Sequence, residues 1–142
     1  MASAFSLSNA MARKCGVAVN VDTTGLGGAV CSIYSNSTAI PANSDTALDG
    51  AAIRLAHFSF PIASGNTVSS SGVITMGAIS GVTGEATGIA SYFRIMASDG
   101  TTIIAQGNCG LAGSSPDMVL DNLTIAASGA VEVSASVWTV TK

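Results

Sequence analysis

The chain has 142 residues, one domain by length, long enough to bury about 68% of its unfolded surface. Only 9% of its residues are charged, with a net charge of −3, where a soluble domain typically carries about 25%. The five Lys and Arg form no basic stripe, which removes the electrostatic footprint of a nucleic-acid binder. No run approaches the roughly 18 apolar residues that a membrane-crossing helix needs, because Ser, Thr, Gly, Asn and Pro61 interrupt the uncharged stretch from Leu55 to Gly84.

Taken in order, the chain opens with MASAFSLSNAMARK, whose basic residues follow its apolar ones; the pattern is not that of a signal peptide. Ser6 to Asn20 is the one segment with helical spacing. Leu7, Met11 and Ala18 share a stripe with Lys14 or Cys15, and Ser6 or Ser8 supplies a cap. The expectation is a short helix or arm over residues 1–28, ending in the glycine loop DTTGLGG. That loop lacks the GxGxxG spacing of a phosphate cradle.

Strand character begins at Ala29–Ser35. A long polar loop, Asn36–Gly50, follows. Ala51–Phe60 alternates with period two, placing Ile53, Leu55 and His57 on one face and Arg54, Ala56, Phe58 and Phe60 on the other. Val73–Ile79 is a further strand between glycine-rich turns.

Gly88–Asn108 reads as a hairpin about Asp99-Gly100, the dipeptide favoured by a two-residue type I′ loop. That loop pairs Met96 with Ile103, Ile95 with Ile104 and Phe93 with Gln106. Ile89, Phe93, Ile95, Ala97 and Ile104 then share the expected core face. Tyr92, Arg94 and Met96 share the opposite face with Ile103, and that face is too apolar to be left in water. Met118–Ala126 holds one or two short strands, and Ala130–Thr141 reads as one long strand through the middle of a sheet. Turn signals every 8 to 14 residues predict an all-β fold: an antiparallel β-sandwich, jelly-roll-like, over residues 29–142.

Chemistry-bearing residues are sparse. His57 is the only histidine, and no GxSxG elbow accompanies it. Most carboxylates fall in turns, where they cap the bend. Cys15, Cys31 and Cys109 are widely spaced and form no CxxC pair, so they read as small buried hydrophobes and not as zinc ligands. Asn36-Ser37-Thr38 and Asn122-Leu123-Thr124 match the glycosylation acceptor pattern by chance, given no export signal. No catalytic residue, cofactor or metal site is expected, and the chain does not read as an enzyme.

From Ala29 onward, four blocks occur in an order that resembles a known family. They are AVCSIYSNSTAIPANSDTALDG, AAIRLAHFSF, ATGIASYFRIMASDGTTIIAQGNCG and DMVLDNLTIAASGAVEVSASVWTV. They resemble small β-rich proteins encoded near the capsid genes of tailed bacteriophages, and in length and pattern the jelly-roll cement, or decoration, proteins of the Bordetella phage type. The NCG at Cys109 departs from the glycine and valine sequence more usual there.

The resemblance implies a virion structural protein on the outer surface of an HK97-like capsid, assembled in the host cytoplasm. Its partners would be the major capsid protein and a second copy of itself in a homodimer. Two surfaces are expected to serve these contacts: the N-terminal arm with Phe5, Leu7 and Met11, and the Tyr92, Met96 and Ile103 face of the hairpin. The competing arrangement folds the arm back over that face within one subunit. A different function, a tail-fibre or adhesin tip binding host glycans, would use Tyr34, Tyr92 or Trp138 to stack on sugars.

Overall fold

A computed structural model of the chain describes residues 27–61, 66–70, 73–75, 77–132 and 137–139. The expected helix, Cys15, and the arm residues Phe5, Leu7 and Met11 lie outside the described residues. Within them the fold is all-β. The strands are β1 (Val30–Ser35), β2 (Arg54–Ser59), β3 (Thr67–Val68), β4 (Val73–Thr75), β5 (Val82–Thr83), β6 (Gly88–Met96), β7 (Ile103–Gly110), β8 (Met118–Val119), β9 (Thr124–Ile125), β10 (Ala130–Val131) and β11 (Val137–Thr139).

One curled, mixed sheet dominates, in the order β2-β1-β6-β7-β8, with β9 paired to the start of β6. All its pairs are antiparallel except β7 with β8. Cys31 and Ile33 of β1, Leu55 and Phe58 of β2, and Phe93 and Ile95 of β6 are buried in one cluster. Ile74 of β4 joins them, and Val68, Val82 and Val131 pack against it from β3, β5 and β10. The small sheets β10-β5 and β11-β4-β3 therefore close the other side of the core. Each large side chain buried there contributes roughly 1.5–3 kcal/mol relative to exposure.

Three pairings of the main sheet shift register: β1 with β2, β1 with β6 (between Tyr34 and Ser35) and β6 with β7. The β1–β2 pairing shifts between Ile33 and Tyr34, so Leu55, Ala56 and Phe58 are all buried while His57 is half-exposed and Ile53 exposed. The face expected to hold Ile53, Leu55 and His57 together is thus split by a bulge. The β6–β7 pairing keeps Met96 opposite Ile103 but shifts between Ile95 and Met96. Ile95 then faces Ala105, Arg94 faces Gln106 and Phe93 faces Gly107.

The loop at Asp99-Gly100 is longer than a two-residue turn. Gly100 N–H donates to Ala97 O at 3.0 Å and Ala97 N–H to Thr102 O at 2.8 Å. Gly100 alone of the turn carries a positive φ, +72°, so the turn is not the I′ type, which needs two such residues. Asp99 caps it, accepting from the amides of Thr101 and Thr102 at 2.8 Å and from the Thr102 hydroxyl at 2.6 Å. These bonds, that from the Thr102 hydroxyl foremost, push the Asp99 carboxyl down to about 2.

The last stretch also differs from expectation. Its described parts join separate small sheets, β10 with β5 and β11 with β4, each at the end of its sheet order.

Gly107 is required by close approach. A Cβ there would lie 2.7 Å from the Phe93 ring and 2.7 Å from Asp117 Cβ. Gly107→Ala is expected to lower stability by about 1–3 kcal/mol through overpacking. Urea unfolding would register a lower midpoint at unchanged slope; an unchanged midpoint would contradict this packing.

Candidate interaction surface

The outer face of the sheet carries a polar row across four strands: His57, Ser32, Arg94 and Gln106 occupy paired positions on β2, β1, β6 and β7. Arg94 is buried. Its Nε donates to Gln106 Oε1 at 2.8 Å, and its Nη2 donates to the carbonyls of Thr46 and, at 3.4 Å, Asn43. Gln106 Nε2 donates to Pro41 O at 2.7 Å. The loop between β1 and β2 is thereby fixed over the face.

Within that loop, Asn43 Oδ1 accepts at 3.0 Å from the amides of Asp45 and Thr46 and from the Thr46 hydroxyl. This is a local turn that short polar side chains favour, and it presents the two carbonyls that Arg94 binds.

Beside this clamp, the Tyr34 and Tyr92 rings stack with centroids 5.2 Å apart and planes 14° apart. Tyr92 is fully buried, and its hydroxyl has no hydrogen-bond partner. The Tyr92, Met96 and Ile103 face, expected to need a covering partner, is covered in part by the chain's own loop. The β1–β2 loop covers the middle of that face, Tyr92 offers no surface to a partner, and Met96 and Ile103 remain half-buried at the hairpin end.

His57 acquires partners that the sequence did not announce. Glu85, in the turn between β5 and β6, donates its amide to Leu55 O at 2.7 Å. Its carboxylate accepts from Arg54 Nε at 2.8 Å through Oε2 and contacts His57 Nδ1 through Oε1. The hydrogen bond from Arg54 is the main influence holding this carboxyl below its usual 4.5; partial burial opposes it and the His57 contact adds to it. The cluster ties the outer edge of β2 to the second layer. It has the content of an ion-pair latch, with no nucleophile among its bonded partners.

The thiols of Cys31 and Cys109 are pushed up to about 12, chiefly by burial, so both are protonated at neutral pH. Among the described residues, no group of three or more His, Cys, Asp or Glu side chains is placed to hold a metal ion.

The apolar surface is unevenly distributed. Five large hydrophobic side chains are exposed among the described residues: Ile40, Ile53, Ile89, Leu111 and Val119. Single exposed apolar residues need no explanation, but four of these stand at one end of the main sheet. Ile53 immediately precedes β2, and its carbonyl accepts from Ser35 N–H at the end of β1. Ile89 is the second residue of β6, Leu111 follows β7, and Val119 ends β8. At about 4.8 Å per strand, this rim spans roughly 19 Å. Asp49 lies four residues before Ile53 and Asp121 two after Val119, both exposed.

No signal in the sequence marked this rim. The period-two pattern places Ile53 with Leu55 and Ile89 with Phe93, and only the ends of the pairing leave them uncovered. Compared with known protein families, curated proteins and solved structures, the chain matches none.

Two measurements follow from the clamp and the latch. Arg94→Met should cost about 2 kcal/mol, because bonds to a charged donor are lost and Gln106 Oε1 loses its donor, and amide exchange should rise across residues 39–50. Tyr92→Phe, which removes only the unpartnered hydroxyl, should leave stability equal or raised by up to ~1 kcal/mol. The reverse ranking would refute the clamp.

Glu85, with its depressed pKa, contributes stability present above pH 4.5 and lost as pH falls through its folded value. Acid unfolding of Glu85→Gln should therefore lack that component, while the component from Asp99, lost between its usual 3.8 and about 2, persists. Superimposable acid curves for the two proteins would exclude the latch.

Proposed function

We propose that this chain is a cement, or decoration, protein of a tailed phage. On this reading it binds the outside of an HK97-like capsid shell, works as a homodimer across neighbouring capsomers, and resists the outward pressure of packaged DNA. It is not an enzyme, and its place is the outer surface of the virion, reached by assembly in the host cytoplasm.

The observation that carries this reading is the rim. Ile53, Ile89, Leu111 and Val119 are exposed together across the width of one sheet end on a chain with few charges. Interface cores are depleted in charged residues, and grouped apolar exposure marks protein contact. Shell contacts repeat hundreds of times, so each can be modest while their sum on the particle is large. The rigid sheet and clamped loop hold the rim without needing the shell to order it, which lowers the entropic cost of each contact.

The adhesin alternative loses two of its three aromatic platforms, because Tyr34 and Tyr92 are buried against one another.

Quantitative mass spectrometry of purified virions is expected to find the protein at a copy number near that of the major capsid protein. Ile89→Asp with Val119→Asp should reduce that occupancy at least tenfold while the isolated protein still unfolds cooperatively. A handful of copies per particle, or undiminished occupancy of the double variant, would overturn the assignment.

A further inference from the structure

The charge distribution says what meets the rim before any shell does. Residues 27–132 hold seven carboxylates, Asp45, Asp49, Glu85, Asp99, Asp117, Asp121 and Glu132, and two cations, Arg54 and Arg94. Both cations are engaged: Arg54 is bonded to Glu85, and Arg94 is buried in the loop clamp. The rim itself lies between Asp49 and Asp121. A second rim brought against it would set carboxylate beside carboxylate, which opposes association. The matching occupant is an apolar segment that carries cations.

The chain contains such a segment. Of its remaining cations, Arg13 and Lys14 directly follow the run holding Phe5, Leu7 and Met11. The described chain begins at the opposite end of the sheet from the rim, where Gly28 N–H donates to Pro61 O, and β1 then runs toward the rim. Six strand residues span about 20 Å, while residues 15–26 can extend to roughly 40 Å. The segment therefore reaches the rim of its own chain, at the millimolar effective concentration that a short tether provides.

We propose that Phe5–Lys14 seats on the apolar end of its own sheet, with Phe5, Leu7 and Met11 against Ile53, Ile89 and Val119, and with Arg13 and Lys14 beside the carboxylate that flanks the end of the rim they reach. The inference deepens the docking reading, and only its consequence rests on it: the surface that would meet the shell is capped in the free protein, and assembly exchanges the cap for the shell.

Limited trypsin digestion of the full chain tests the seat without a capsid. In the wild type, cleavage after Arg13 and Lys14 should be slow. In Ile89→Asp with Val119→Asp it should accelerate about tenfold, while cleavage after Arg54 and Arg94 stays unchanged. Asp49→Asn with Asp121→Asn removes both charges, keeps an Oδ1 acceptor for the Ala51 amide and adds no trypsin site; it should accelerate the same two cleavages, so the test survives if the apolar variant unfolds. Equal rates at Arg13 and Lys14 in the wild type and the charge variant would overturn the proposal. Protection that rises with protein concentration would overturn it too, by assigning the segment to a second copy. Loss of capsid occupancy with normal protection, or the converse, separates failure of one reading from failure of the other.

Discussion

The buried guanidinium of Arg94 is the constraint from which the outer half of the molecule follows. Taking a charge out of water is costly unless hydrogen bonds replace its hydration. Among the described residues no carboxylate is bonded to Arg94; its partners are Gln106 and two backbone carbonyls. Those carbonyls belong to the β1–β2 loop, so that loop has to lie on the sheet. Gln106 completes the arrangement by binding Pro41 from the neighbouring strand. A face that period-two patterning marks as too apolar for water is thereby closed by the chain's own polar loop. Of the five large hydrophobic residues left exposed among the described residues, Ile40 lies in that loop and the other four stand at the sheet end from which the loop departs.

Local order was legible in the sequence and long-range pairing was not. The strand positions at Val30–Ser35, Arg54–Ser59 and Gly88–Met96 follow directly from alternating apolar residues. The hairpin was placed correctly about Asp99-Gly100, and Met96 does face Ile103. Beyond that pair the register differs, because one bulge shifts every following partner by a residue. Bulges leave little trace in composition. The same cause explains Leu55 and Ala56, adjacent residues that are both buried.

The clamp and the latch were illegible for a different reason. Arg94 meets Thr46 across 48 positions and His57 meets Glu85 across 28. Asp49 and Glu85 read as ordinary turn carboxylates, and nothing local distinguishes the one that binds Arg54. Tyr92 reads as a docking residue because the outer face of a sandwich should be polar and this one is not. Its buried ring stacks on Tyr34, beside a loop whose own residues are polar and give no sign of covering the sheet.

The parallel pairing of β8 with β7 bears on how such a chain stays dispersed. Sheets of small, uncharged, β-prone residues are those most inclined to zip together edge to edge. Here β8 is a two-residue strand at one margin, leaving little ladder for an incoming strand to extend. At the other margin the latch fills the space beside β2 with Glu85, whose amide already occupies the Leu55 carbonyl. Both margins of the sheet thus offer an incoming strand less than a full ladder.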